Sequence, residues 1–326
     1  MADVTILGAG VMGLCIASEL VARGVRAQLI DPAGGPGPQA CSWWAGGMLA
    51  PHCESESAEP TVLRLGAEAA QWWARRGARL TQRGTLVLAL SRDRAELDRF
   101  ARLTQGHQTV SGDEIAALEP DLAGRIPRGL FYASESHLDP RQALAALRDD
   151  LAARGTPIRT GAPTPQGLVI DARGLAARDR LADLRGVRGE MMVIRCPELR
   201  LGRTIRLLHP RIPIYLVPRG DGIYMLGATM LESGTRSHVT ARSAVELLSA
   251  LYALHPGFAE AEILELGADA RPAFPDNLPR LRRRGQTLFA NGLYRHGYLL
   301  APAVARMTAE YLIDGQIPEL MDENHP

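Results

Sequence analysis

The sequence contains no lysine: all 37 of its basic residues are arginine. Catalysis through a lysine Schiff base is therefore excluded from this chain. Cysteine is scarce and scattered. Cys15, Cys41, Cys53 and Cys196 form no CxxC pair, which argues against a disulfide framework and a thiolate zinc site. The histidines show neither HExxH nor another ligand spacing, so no metal is expected. No apolar run approaches the roughly 20 residues of a spanning helix. The opening MADVTILGAG lacks the basic start, apolar stretch and cleavage site of a secretion signal, so the cytoplasm is the expected compartment. Acidic residues number 36, giving a net charge of +1 without a basic block. Neither a nucleic-acid groove nor an anionic membrane surface is expected from that balance.

What is present is enough apolar material for a real core, 46% of 326 residues, and a length that suits about two domains. Val4-Thr5-Ile6-Leu7 reads as a buried parallel strand. It runs into Gly8-Ala9-Gly10-Val11-Met12-Gly13, a GxGxxG turn, followed by a helical stretch to Arg23 and a stop at Gly24. Residues 25–30 form a second strand ending at Asp31. Each glycine has a physical task in such a unit. Gly8 permits the tight turn, Gly10 lets backbone approach a pyrophosphate, and Gly13 lets helix and strand pack closely. The helix start offers free N–H groups to phosphates. Asp31 stands where a carboxylate accepts from ribose hydroxyls, and it favours NAD or FAD over NADP.

Past Pro32 the chain does not enter another strand–helix unit. A Gly/Pro loop leads to Cys41-Ser42-Trp43-Trp44-Ala45-Gly46-Gly47-Met48-Leu49-Ala50-Pro51, small residues suited to lying against a flat ring. On this segment the chain resembles the D-amino-acid oxidase-like flavoproteins, and within them the glycine oxidases of thiamine biosynthesis. The resemblance implies non-covalent FAD, contacted by Gly8, Gly10, Val11, Met12, Gly13, Asp31, Pro32, Cys41, Ser42, Ala45, Gly46, Gly47 and Met48. With no lysine, a lysine-held water at the flavin is excluded too.

The middle of the chain is less specific. Residues 60–77 read as one amphipathic helix with Trp72 and Trp73 as packing residues, and His137 before the Asp139-Pro140 helix start reads as structural. Residues 167–174 form a strand that, by resemblance, recrosses the FAD domain; Asp171 and Arg173 depart from the family's small residues there and receive no role. Segments 212–219 and 223–230 flank Gly220-Asp221-Gly222 as a hairpin. The resemblance implies that this sheet covers the flavin, with Tyr215 and Met230 at the substrate; packing within the sheet is the alternative.

Residues 269–279 are dense in turn formers, with Arg271 just before Pro272. An arginine there either caps a turn or grips a carboxylate in a bidentate pair; the resemblance implies the second. Residues 287–292 read as a last parallel strand, entering Leu293-Tyr294-Arg295-His296-Gly297-Tyr298-Leu299 and a helix to about Ile313. The family has an Arg-x-Gly-x-Leu segment here that wraps the isoalloxazine, with Asn common at the place of His296. Arg295 faces flavin or substrate on that reading.

The expected fold is α/β, α+β overall. An FAD-binding Rossmann-like domain of glutathione-reductase type is assembled from 1–51, 130–185 and 270–326, and an antiparallel-sheet substrate domain from 52–129 and 186–269. The expected activity is FAD-dependent oxidative deamination of glycine or a similar small amino acid or amine, with O2 as acceptor. The alternatives are a dehydrogenase, a secondary-amine oxidase for sarcosine-type or iminodiacetate-type substrates, and a non-catalytic FAD-binding module. The sequence is compatible with a homo-oligomer.

Overall fold

The computed structural model of the chain describes residues 4–161 and 163–326. Residues 1–3 of the opening stretch and position 162 of the short 160–166 segment lie outside the described residues. A seven-stranded sheet runs in the order Met321–His325, Arg280–Arg284, Thr287–Asn291, Leu168–Asp171, Val4–Leu7, Ala27–Ile30 and Ile158–Arg159. Its centre is parallel: Val4–Leu7 pairs in parallel with both Ala27–Ile30 and Leu168–Asp171, and the latter with Thr287–Asn291. Parallel neighbours need covered faces, and the helices Val11–Ala22 and Gly297–Asp314 supply apolar cover. Leu14, Ile16 and Leu20 of the first share one buried cluster with Leu300, Val304 and Ala305 of the second. Each such leucine contributes about 1.5–3 kcal/mol by leaving water.

A nine-stranded sheet contains Thr85–Ala89, Gln108–Ser111, Arg128–Tyr132, Arg185–Arg195, Thr204–Leu208, Ile214–Gly220, Ile223–Gly227, Leu231–Glu232 and Glu262–Ala273. It is antiparallel except where Thr204–Leu208 meets Thr85–Ala89 in parallel. That pair is joined by a crossover of more than a hundred residues, so no hairpin dictates its direction. The expected hairpin is present, turning at Asp221 and Gly222, both with positive φ. A third, three-stranded sheet orders Met48–Leu49, Ser136–Leu138 and Leu80–Thr81.

Several expectations are corrected. The 60–77 helix is two, Pro60–Gly66 and Ala69–Arg75. A Cβ on Gly66 would stand 2.7 Å from Leu299 Cγ, so the break lies where that glycine lets Gly297–Asp314 come close. Arg128–Tyr132, assigned in part with 130–185 to the cofactor half, pairs instead with Thr85–Ala89 and Gln108–Ser111 in the nine-stranded sheet. Residues 269–273 are not turn but the end of the strand Glu262–Ala273, which among the described residues pairs with Arg185–Arg195 alone. An edge strand tolerates Pro272, because a proline with its missing N–H on the open side costs no ladder bond. The tryptophans pack as expected: Trp73 Nε1 donates to Tyr298 O at 2.8 Å and Trp72 Nε1 to Glu19 Oε2 at 3.0 Å. His137 is buried beside Thr204 Oγ1 at 3.2 Å, and Asp139 caps the helix Pro140–Ala153.

Candidate functional site

Four parallel strands point their carboxyl ends at one cavity of about 870 Å³. Leu7, Ile30, Ala172 and Asn291, at the ends of four strands, line it. This is where open α/β sheets receive ligands. The first glycine turn forms one end. Gly8 has φ +95°, and a Cβ on it would lie 2.7 Å from Ala172 O. A Cβ on Gly13 would lie 1.9 Å from Gly8 O, so Gly13 serves helix–strand contact and does not line the cavity. Gly10, Val11 and Met12 do line it. No side chain caps the helix at Gly10, which leaves first-turn N–H groups free toward the cavity. Asp31 accepts from Ala9 N at 2.7 Å through Oδ2 and from Ala33 N at 2.9 Å through Oδ1. Two backbone donors thereby fix the carboxylate at the strand end, beside Pro32.

The long wall is built from 41–48 on one side and 293–299 on the other. Cys41, Ser42, Ala45, Gly46, Gly47 and Met48 line it, as do Leu293, Tyr294, Arg295, His296, Gly297, Tyr298 and Leu299. Burial, with Asp269 nearby, pushes the Cys41 thiol up to about 12, so it is a neutral wall and no nucleophile. Tyr298 OH donates to Ser42 O at 2.9 Å and ties the two sides together. The helix Gly297–Asp314 also lacks a side-chain cap, and a Cβ on Gly297 would touch Val11 Cγ1 at 3.5 Å. Two bare helix starts thus sit side by side on one cavity, from opposite ends of the chain.

The far end carries the charged groups. Arg271 comes from the edge strand, packed so closely over Gly189 that a Cβ there would lie 2.1 Å from its Nη2. Its polar contact is Thr229 O at 3.5 Å, and among the described residues no carboxylate forms an ion pair with it. Tyr215 lies against Gly46, with its pKa raised by burial. Met230 sits at the mouth, half exposed, 3.4 Å from Tyr294 OH and 3.7 Å from Arg295 Nη1.

Arg295 is committed differently. Its Nε lies 3.0 Å from Glu54 Oε2 and its Nη2 donates to Ser57 Oγ at 2.6 Å. Glu54 also bonds Arg206 through Oε1, and His296 Nε2 lies 3.1 Å from Oε2. Burial would raise the Glu54 carboxyl, but Arg295, Arg206 and His296 together hold it well below its ordinary range. His296 is pulled down by burial and stays neutral. Glu54 and Arg206 line the cavity and were not singled out from the sequence. The available signals were an acid at the end of the short helix Pro51–Glu54 and an arginine inside the apolar run Thr204–Leu208.

A family model for FAD dependent oxidoreductases matches residues 3–311. The chain belongs to the FAD-dependent oxidoreductase family. It is 52% identical over 314 residues to a Rhizobium etli chain assigned as the thiamine biosynthesis oxidoreductase ThiO, covering 95% of this chain and 96% of that one. A glycine oxidase of Bacillus licheniformis is 26% identical, with 97% and 94% covered. The crystal structure of iminodiacetate oxidase from Chelativorans sp. BNC1 superposes with a TM-score of 0.82 at 22% identity, covering 97% of this chain and 96% of that one.

As an FAD-dependent oxidoreductase, the chain needs a cradle for a dinucleotide, and the cavity passes that test. Ser42 Oγ and His296 Nδ1 are buried in its wall without a hydrogen-bond partner among the described residues. Gly10 lies beside Ser42, where a Cβ would stand 3.5 Å from its Oγ, in ordinary contact. Buried polar atoms normally find partners, and a cofactor in this cavity would offer them. Among the described residues no group of His, Cys, Asp and Glu is arranged to hold a metal, and no helix is long and apolar enough to cross a membrane.

Proposed function

We propose that this chain is an amino acid oxidase of the glycine oxidase type, acting on glycine or a similar small primary or secondary amine in the thiazole branch of thiamine biosynthesis. The single observation that carries this reading is Arg271: a guanidinium in the wall of the dinucleotide cavity with no carboxylate paired to it among the described residues. FAD, held in this cavity, would supply two-electron oxidation of the substrate C–N bond, with O2 as terminal acceptor and hydrogen peroxide as its product. Arg271 grips the substrate carboxylate, worth about 1.5–3 kcal/mol as a charge-assisted pair. Tyr215 adds a hydroxyl from the strand Ile214–Gly220, and Met230 closes the mouth. Together they hold the substrate in an attack geometry.

Glu54 is occupied by Arg206, Arg295 and His296, so it orders the far wall and is no free base. Oxidation of a neutral amine by hydride loss requires none. The wall segments 41–48 and 293–299 and the Gly8–Gly13 turn hold the cofactor, with Asp31 on the ribose. The residues 52–129 and 186–269, apart from the strand pairings described above, form the substrate side.

The test is a peroxide-coupled screen of the purified yellow protein against glycine, sarcosine, iminodiacetate, D-alanine and D-proline. Peroxide formed in air with one of these supports an oxidase. Anaerobic bleaching of the flavin without peroxide in air would make it a dehydrogenase. No bleaching by any amine would overturn the amine-oxidising reading.

A further inference from the structure

Arg219 lies on the strand Ile214–Gly220 and is absent from the cavity lining. Its half-buried guanidinium reaches behind the wall segment. It donates to Leu138 O at 2.9 Å, Gly46 O at 2.8 Å and Ala45 O at 3.3 Å. Among the described residues it has no carboxylate within ion-pair distance. The enclosing protein lowers its pKa to about 10, which leaves it cationic at neutral pH. A cation held only by carbonyls, one residue layer behind a cofactor wall, calls for an explanation other than stability.

The peptides Ala45–Gly46 and Gly46–Gly47 are trans. In a trans peptide the C=O and the following N–H point in opposite directions. Drawing the Ala45 and Gly46 carbonyls onto Arg219 therefore turns the N–H groups of Gly46 and Gly47 the other way. Both residues line the cavity, and neither N–H donates to any acceptor among the described residues. Gly47, with φ +72°, departs from the ladder just where Leu138 N still donates to Gly47 O.

We propose that Arg219 is a positioning residue for the flavin: it aims the Gly46 and Gly47 N–H groups into the space the cofactor fills, and its fixed charge behind that wall raises the flavin's reduction potential. Reduction adds negative charge to the ring system, and oriented donors with a desolvated cation stabilise it. The inference rests on FAD filling the cavity as read above.

The experiment measures the two-electron midpoint potential of FAD in the purified holoenzyme, for wild type, Arg219→Gln and Arg219→Lys. Arg219→Gln, keeping donors but losing charge, is expected to shift the equilibrium about tenfold toward oxidised flavin, about 30 mV. Bound FAD at the wild-type potential would overturn the proposal. Arg219→Lys is expected to match wild type at pH 6 and to fall below it by pH 9, because burial lowers a lysine's pKa. A full drop already at pH 6, or no gap at pH 9, would overturn the proposal even if Arg219→Gln did not fold. The groups facing Arg219 are Asp139, Arg141, Tyr215, Tyr298 and His137. The tyrosines are raised, His137 is lowered to about 4, and Arg141 is paired with Glu265, so the new lysine alone titrates in that window. A wild-type protein that binds no FAD would instead defeat the reading of the cavity.

Discussion

The Glu54 carboxylate stands 3.0 Å from Arg295 Nε, and its other oxygen is taken by Arg206. That relationship separates the arginines of the cavity: Arg295 is spent on the wall, and Arg271 is free for a ligand. Glu54→Gln removes the one anion that both cations share. Breaking a buried pair from one side is expected to cost about 3–5 kcal/mol, read by denaturant unfolding near pH 7. Because the folded Glu54 pKa lies below its ordinary value of 4.5, the contribution is present above that value and is lost as pH falls through the folded one. The gap between wild type and variant should shrink in acid.

Arg271→Ala is expected to raise KM for the amino acid about 10- to 150-fold, the equivalent of one lost charge-assisted pair. FAD should remain bound, since Arg271 faces the far end of the cavity. Steady-state kinetics with the amine found in the peroxide screen check this, and an unchanged KM would remove Arg271 from the substrate site.

Asp31→Ala leaves the Ala9 and Ala33 N–H groups without their acceptor and, on the function proposed above, the ribose without a carboxylate. Weaker FAD retention is expected, measured as the flavin left after dialysis. Full yellow occupancy would refute the role.

His137 gives a pH signature away from the cavity. Burial, with Arg219 nearby, lowers its pKa to about 4 from 6.5. The unfolded chain takes up a proton as pH drops through 6.5 while the folded chain refuses it until about pH 4. Up to about 3 kcal/mol of stability is lost in that window. His137→Gln should flatten that segment of the stability profile relative to wild type; parallel profiles would show that another group is responsible.

The parts of the molecule legible in the sequence are those written in short-range pattern. Strand, glycine turn, helix and strand at residues 4–30 need only near neighbours to be recognised, as does the hairpin around Gly220 to Gly222. Residues 269–273 misled because turn formers are also tolerated on an edge strand, and edge position is a property of the whole sheet. The membership of Arg128–Tyr132 likewise depends on partners dozens of residues away. The pairing of Glu54 with Arg206 spans 152 residues, and no local pattern announces it. Arg295 was visible as a position in a motif, but its partner was not.

The two bare helix starts at Gly10 and Gly297 lie far apart in sequence and meet only in the fold. Leu168–Asp171 bridges them, pairing with Val4–Leu7 on one side and Thr287–Asn291 on the other. The cradle is therefore complete only when all three strands have docked. A fragment that spares every residue of the first glycine turn but lacks the helix Gly297–Asp314 keeps half a cradle and is expected to be colourless.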